Sequence, residues 1–249
     1  MNLPTTKSPV LEENPKFLIL FGKPKCGKTT ITAALEDALH IDMENGSDYV
    51  EAMKVKANSM EELQEIKKAL QDKFTSNGNK PVYTYGVLDT ATALEDMILP
   101  LAKKLYKDTP MGKSFSGNDV KKLPNGAGYL YVREAFHKVI NGFIPYFKYL
   151  ILLGHTKEKM INKMGKELSE NALDLSGKLE RIVSAKADAL GYVYRSKNKT
   201  LINFNGGDDA VVEARPEHIR GKEIVIAESD DAGKMTFYWD KIYKPITTK

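Results

Sequence analysis

The apolar positions of this chain follow two periods. Residues 17–21 (FLILF) and 149–153 (YLILL) are short, wholly apolar runs, the form expected of strands covered on both faces. Residues 82–88 (VYTYGVL) predict a third strand, and Ile41-Asp42-Met43 a brief fourth. Helical spacing runs through 29–40 (TTITAALEDALH), 91–106 and 129–144. It is clearest in 60–74, where Leu63, Ile66 and Leu70 share a face and Ser59 can cap the first turn. Residues 107–128 mix Lys, Gly and Pro without a period and predict a loop. Residues 157–178, bearing Lys, Gly and Ser, predict a second loop, partly helical. From 190 onward GYVYRS, TLINFN, EIVIAE and MTFYWD read as short strands separated by turn residues. Strand–helix alternation up to 154 predicts an α/β fold, a mainly parallel central sheet flanked by helices, with antiparallel strands toward the C-terminus. Residues 1–15 read as a flexible N-terminal arm and 16–249 as one domain.

Composition narrows the class. The 249 residues are 42% hydrophobic and 28% charged, ordinary values for a globular protein. The longest apolar runs fall far short of the roughly 20 residues of a membrane span. Acids and prolines occupy the first residues where a signal peptide would be apolar, so none is expected. A single cysteine, Cys26, allows neither an internal disulfide nor a thiolate metal cluster, and a cytoplasmic setting is expected. The net charge of +4 conceals an asymmetry: residues 101–200 carry 19 basic against 9 acidic side chains, and the rest of the chain is net acidic. Such a block suits either a solvated face or a phosphate-backbone partner.

Residues 22–29 (Gly22-Lys23-Pro24-Lys25-Cys26-Gly27-Lys28-Thr29) fit G-x-x-x-x-G-K-[ST] at every fixed position, between a predicted strand and a predicted helix. Glycines in such a loop let backbone N–H groups converge on phosphate oxygens, and the helix start adds partial positive charge. Lys28 would reach the β- and γ-phosphates, and Thr29 would ligate Mg²⁺, with Thr30 completing the nucleotide-binding stretch. ATP and Mg²⁺ are the expected ligands. Asp89, at the tip of the 82–88 strand, stands where a second carboxylate would hold Mg²⁺; the same position suits a cap for the helix that follows. Glu44, just after the second strand, can polarise an attacking water or be an exposed loop acid. His155, at the tip of the 149–154 strand, can sense the γ-phosphate or be a strand-end surface histidine. His40, His137 and His218 form no ligand spacing, so no zinc or iron site is expected.

Together these segments resemble the RecA-type ATPase core, and most nearly the compact phage nucleotide-binding proteins that act as RecA-like single-strand annealing ATPases. The resemblance spans roughly residues 16–204 and leaves 205–249 as a β-rich extension. It implies Glu44 as the catalytic glutamate, Asp89-Thr90 as the strand-end acid and small hydroxyl pair, His155 as the sensor, and the loop at 157–178 as a single-stranded DNA site. Lys113, Lys121, Lys122, Lys157, Lys159, Lys163 and Lys166 are then candidate DNA contacts, with Phe115, Tyr129 and Tyr131 available to stack on bases. It further implies a homo-oligomer, ring or short filament, with a basic residue acting in trans. Arg215 is preferred for that role, and Arg195, Lys197, Lys199 and Arg220 are alternatives. The implied function is ATP hydrolysis coupled to single-stranded DNA binding or annealing in phage recombination or replication, in the bacterial host cytoplasm, with single-strand-binding or replication proteins as further partners. A P-loop nucleoside or nucleotide kinase, or an ATP-switched accessory of the helicase-loader kind, would use the same core.

Overall fold

The computed structural model describes residues 3, 5–7, 12–163, 166–206 and 210–245, with side chains at 161–168 left out of the description. Its strands are β1 (Phe17–Gly22), β2 (Ala38–Asp42), β3 (Met53–Lys56), β4 (Tyr83–Asp89), β5 (Phe147–Lys163), β6 (Lys166–Leu173), β7 (Ala189–Ser196), β8 (Lys199–Asn203), β9 (Glu213–Ala214), β10 (Glu223–Ser229) and β11 (Met235–Phe237). The helices are α1 (Lys28–Ala33), α2 (Met60–Ser76), α3 (Ala91–Met97), α4 (Leu99–Lys107), α5 (Gly128–Phe143) and α6 (Leu179–Lys186). One sheet runs in the order β11-β10-β8-β7-β1-β5-β4-β2-β3. Every pair from β3 to β7 along that order is parallel, and β8, β10 and β11 continue it antiparallel. This is the α/β architecture expected from the sequence. Among the described residues no helix is long and apolar enough to cross a membrane.

The apolar runs of β1 and β5 are buried on both faces because two layers cover the sheet. Phe17, Ile19 and Phe21 face one core with α2, α3, α5 and α6, and Leu18 and Leu20 face the other with α1 and the C-terminal segment. That second core takes in Ile219, Ile242 and Tyr243 of the C-terminal segment: the Trp239 indole N–H donates to the Ile31 carbonyl of α1 at 2.7 Å, and Tyr243 packs against Tyr85 and Tyr149. At the boundary of the expected arm, Asn14 is buried, donating to the Tyr149 hydroxyl and the Lys244 carbonyl and accepting from the Lys244 N–H.

Three local expectations are corrected. The helix expected over 29–40 stops at Ala33, and Ala38–Asp42 is β2. Asp37 adopts φ 57°, and its carboxylate accepts from the Thr84 N–H and hydroxyl. The chain thus turns into register with β4, and pairing overrides a helical spacing. The helix expected over 91–106 is two, α3 and α4, broken at Ile98. Pro100 has no N–H to offer the Asp96 carbonyl, so the first helix cannot continue through it. Residues 157–163 and 166–173 form neither a loop nor a helix. They are strand arms of a β5–β6 hairpin, with Thr156 opposite Leu173 and Lys163 opposite Lys166. Lys159 stands opposite Glu170, an opposite-charge pair of the kind that stabilises antiparallel strands.

Trp239→Phe tests whether the C-terminal layer supports the helix after the phosphate loop. Removing the indole donor and some ring volume should cost about 1–2 kcal/mol, seen as a lower urea midpoint with an unchanged slope.

Candidate active site

The parallel strands carry the candidate residues to one edge. Gly22 ends β1 and is paired with His155 on β5; Asp89 ends β4, and Glu44 follows β2 by two residues. Strand C-termini in such sheets face the ligand. Here they open on a cleft of about 560 Å³ lined by Pro24, Lys25, Gly27, Lys28, Thr29, Thr30, Asp42, Glu44, Tyr49, Asp89, Thr90, His155 and Arg195, among others.

The loop over β1 needs its glycines. A side chain at Gly22 would strike the Val193 carbonyl of β7, 2.3 Å from the position of its first carbon. Gly27 adopts φ 100° directly before α1, a conformation disfavoured for other residues. Lys28 is buried and folds its ammonium back on the loop, donating to the Gly22 carbonyl at 3.0 Å and the Lys23 carbonyl at 3.1 Å. Cys26 Sγ lies 3.9 Å from that nitrogen, within the loop.

The Thr29 hydroxyl donates to Asp89 Oδ2 at 2.7 Å. Asp89 is only 6% exposed. Burial pushes its carboxyl up, the Glu44 and Asp42 charges push the same way, and the Thr29 hydrogen bond and Lys28 oppose them, leaving it at about 6. A hydroxyl and an under-compensated buried carboxylate, converging on a cleft, are the donor set a hard divalent cation takes. The residues therefore fit Mg²⁺. The peptide bond between Asp89 and Thr90 is cis.

Glu44 is held from both sides. The Thr90 hydroxyl donates to its Oε1 at 2.5 Å, and His155 Nε2 lies 3.0 Å from each carboxylate oxygen. A carboxylate has about four acceptor sites, so Glu44 retains capacity for a water. The turn carrying Glu44 is organised by Asp42, buried at the end of β2. Its carboxylate accepts from the N–H groups of Glu44 (3.0 Å), Gly46 (3.4 Å) and Ser47 (3.0 Å) and from the Ser47 hydroxyl (2.6 Å). Burial alone would raise the Asp42 carboxyl, but these hydrogen bonds outweigh it and hold the group below its ordinary value.

The expected residues Lys28, Thr29, Glu44, Asp89 and His155 are thus brought together. Arg215 is not among them. It pairs with Asp188 at 3.2 Å and donates to the Ala185 carbonyl. Asp188 also accepts from the Lys16 and Phe17 N–H groups at the start of β1, the end of the sheet opposite the cleft. Several candidate DNA lysines have partners in their own chain. Lys121 pairs with Glu95 and Asp96, Lys157 reaches the Leu175 carbonyl and Asp174, and Lys159 reaches Glu180. Lys113 and Lys122 are exposed, and the side chains of Lys163 and Lys166 lie outside the described residues. Phe115 and Tyr131 pack on Tyr106, while Tyr129 is half-buried. Sequence reasoning missed the role of Asp42, whose signal is an acid at a strand tip followed by Asn-Gly-Ser, a turn-forming composition. It also missed the fully exposed Tyr49 at the cleft and the position of Arg195 beside Gly27.

Asp89 makes stability depend on pH. Its folded-state value lies above the ordinary 3.8, so the folded chain holds that proton more tightly and loses stability as pH rises from about 4 through about 6. In metal-free buffer, Asp89→Asn should therefore be more stable than wild type at about pH 7.5, by on the order of 1–3 kcal/mol, and the gap should close near pH 4. Urea melts at both pH values check the sign.

No curated protein matches the sequence. Among solved structures, the chain is similar to one described as "Crystal structure of the RadB recombinase", with a TM-score of 0.46 and 12% identity over 88% of this chain and 90% of that one. Residues 14–227 match the profile of a family described as an AAA domain. With most of its length inside that match, the chain belongs to the AAA-domain family.

Proposed function

We propose that this protein binds and hydrolyses ATP at the cleft and couples the cycle to single-stranded DNA. The observation that carries the ATPase reading is the convergence of Thr29–Asp89 and of Glu44, clasped by Thr90 and His155, at the mouth of the phosphate loop. The loop N–H groups and Lys28 hold the phosphates, the Lys28 ammonium exchanging backbone carbonyls for phosphate oxygens. Thr29 and Asp89 would hold Mg²⁺, which would supply positive charge against the phosphates. Glu44 accepts a hydrogen from the attacking water and orients it in line with the terminal phosphate. His155, touching Glu44 and lying on β5, registers whether that phosphate is present.

DNA coupling is supported by connectivity and charge. The strand that carries His155 runs on without a break into the β5–β6 hairpin. Lys113 and Lys122 take no internal ion pair among the described residues, so they join Lys163 and Lys166 as the lysines we assign to the phosphate backbone. Lys121, Lys157 and Lys159 act mainly within the chain. We further propose a homo-oligomer, ring or short filament, in which a basic residue completes the neighbouring site; Arg215 would have to exchange Asp188 for that role. The motif resemblance to phage RecA-like proteins is what suggests a setting in phage DNA recombination or replication.

Two measurements test this reading. Lys28→Ala should abolish ATP turnover with the fold retained, and Glu44→Gln should bind ATP but lose turnover by about a hundredfold or more, the range of a general base. Loss of binding in Glu44→Gln would contradict its role. Steady-state hydrolysis with and without single-stranded DNA, at two salt concentrations, tests the coupling. Stimulation that fades with salt is expected. Stimulation by a nucleoside instead would indicate a kinase, and stimulation by a protein alone would indicate an ATP-switched accessory.

A further inference from the structure

Arg195 lies near the C-terminal end of β7, the strand flanking β1 on the side away from β5. Its guanidinium rests against the phosphate loop: a carbon added at Gly27 would fall 3.1 Å from Nη2 and 3.3 Å from Nε. The bare backbone at Gly27 is what lets it come so close. Arg195 lines the same cleft as Lys28, Thr29 and Glu44. Among the described residues its guanidinium has no hydrogen bond or ion pair, whereas Arg215 and Arg220 are both engaged by acceptors of their own chain. An uncommitted guanidinium beside a loop of convergent N–H groups has a natural complement in a phosphate oxyanion, which its planar fork can bind through two parallel hydrogen bonds.

We propose that Arg195 is a phosphate-binding residue of its own chain's nucleotide site, and that it contacts the diphosphate common to ATP and ADP. The inference rests on the nucleotide reading above. The sheet order decides which phosphates it meets. Glu44, Asp89, Thr90 and His155 arise from β2, β4 and β5, all on one side of β1, and Arg195 arises from the other. A phosphate tail whose terminal group faces Glu44 therefore turns its inner groups toward Arg195. This puts Arg195 in cis, rather than among the alternatives to Arg215 for a residue acting on a neighbouring subunit.

The test is calorimetric titration with Mg·ADP and with a non-hydrolysable Mg·ATP analogue, on wild type, Arg195→Ala and Arg195→Lys, at two protein concentrations. Arg195 is exposed at the surface, and far-UV circular dichroism checks that each variant is folded. Arg195→Ala should weaken both nucleotides by the same factor, at least about tenfold, as loss of a charge-assisted contact implies. Arg195→Lys should recover part of the loss, and the factor should not change with protein concentration. Unchanged ADP affinity in Arg195→Ala overturns the proposal. So does a loss confined to the ATP analogue, or one that grows with protein concentration, since those outcomes put the guanidinium at the terminal phosphate or in a neighbouring site. A wild-type chain that binds neither nucleotide would instead defeat the nucleotide reading itself.

Discussion

The Thr29–Asp89 hydrogen bond spans a strand. Asp89 ends β4 and Thr29 belongs to the helix that follows β1, yet β5 lies between those strands in the sheet. The contact therefore requires α1 to lean across β5 where its pairing with β1 ends, at His155 opposite Gly22. From this one constraint much of the site follows. The phosphate loop, the strand-end acid and the histidine must share one level of the sheet, and β2, paired with β4 so that Asp42 stands opposite Asp89, delivers Glu44 to the same level. The burial at this level also makes Asp89 costly to ionise, so the edge is arranged to favour a cation.

Asp42 and Asp89 are neighbours of the same chemical type, and their surroundings push them in opposite directions. Asp42 is buried but receives hydrogen bonds from three backbone N–H groups and a hydroxyl. Asp89 is buried with the Thr29 hydroxyl as its side-chain donor and with both Asp42 and Glu44 nearby. Hydrogen bonds to the charged form can offset desolvation when there are enough of them. The satisfied acid is architectural and fixes the Glu44 turn. The other has one side-chain donor and a value raised to about 6, and that difference suits it to a cation more than its position alone does.

How much of this was legible in the sequence depended on the range of the interactions involved. The phosphate loop was, because its glycines and lysine answer to local backbone geometry and to a ligand; Gly22 and Gly27 stand where packing and φ demand them. The strand-tip residues Glu44, Asp89 and His155 were legible as candidates, because an acid or histidine closing an apolar run has few uses. Their clustering was not, since it depends on strand order. The early end of α1 lies in an Asp37–Thr84 contact between distant residues, invisible to a helical spacing that continues to His40. The hairpin arms at 157–163 and 166–173 escaped because their mixture of Lys, Glu, Asn and Ser resembles a loop in composition. Arg195 could not be separated from four other basic residues until β7 was placed beside β1.

The basic block at 101–200 looks different once its partners are visible, and it bears on how the nucleotide site connects to the rest of the chain. Lys121 is drawn to Glu95 of α3, whose carboxylate also takes the Ser176 N–H and hydroxyl. Thr92 of the same helix donates to the Asp174 carbonyl, and Lys157 reaches the Leu175 carbonyl. The Thr92 and Glu95 bonds fasten the foot of the β5–β6 hairpin to α3, and the Lys157 bond ties β5 to the chain leaving β6. That helix starts at Thr90, its N-cap, whose hydroxyl holds Glu44, and the hairpin itself grows from His155, which faces Glu44 as well. Two continuous routes thus leave one carboxylate, one through a helix start and one through a strand, and meet again at residues 174–176. A lysine spent on fastening that junction is lost to a polyanion but keeps the hairpin in a fixed relation to the cleft. Under the proposed function, the paired lysines brace the hairpin against the site, and Lys113 and Lys122 are left for the DNA backbone.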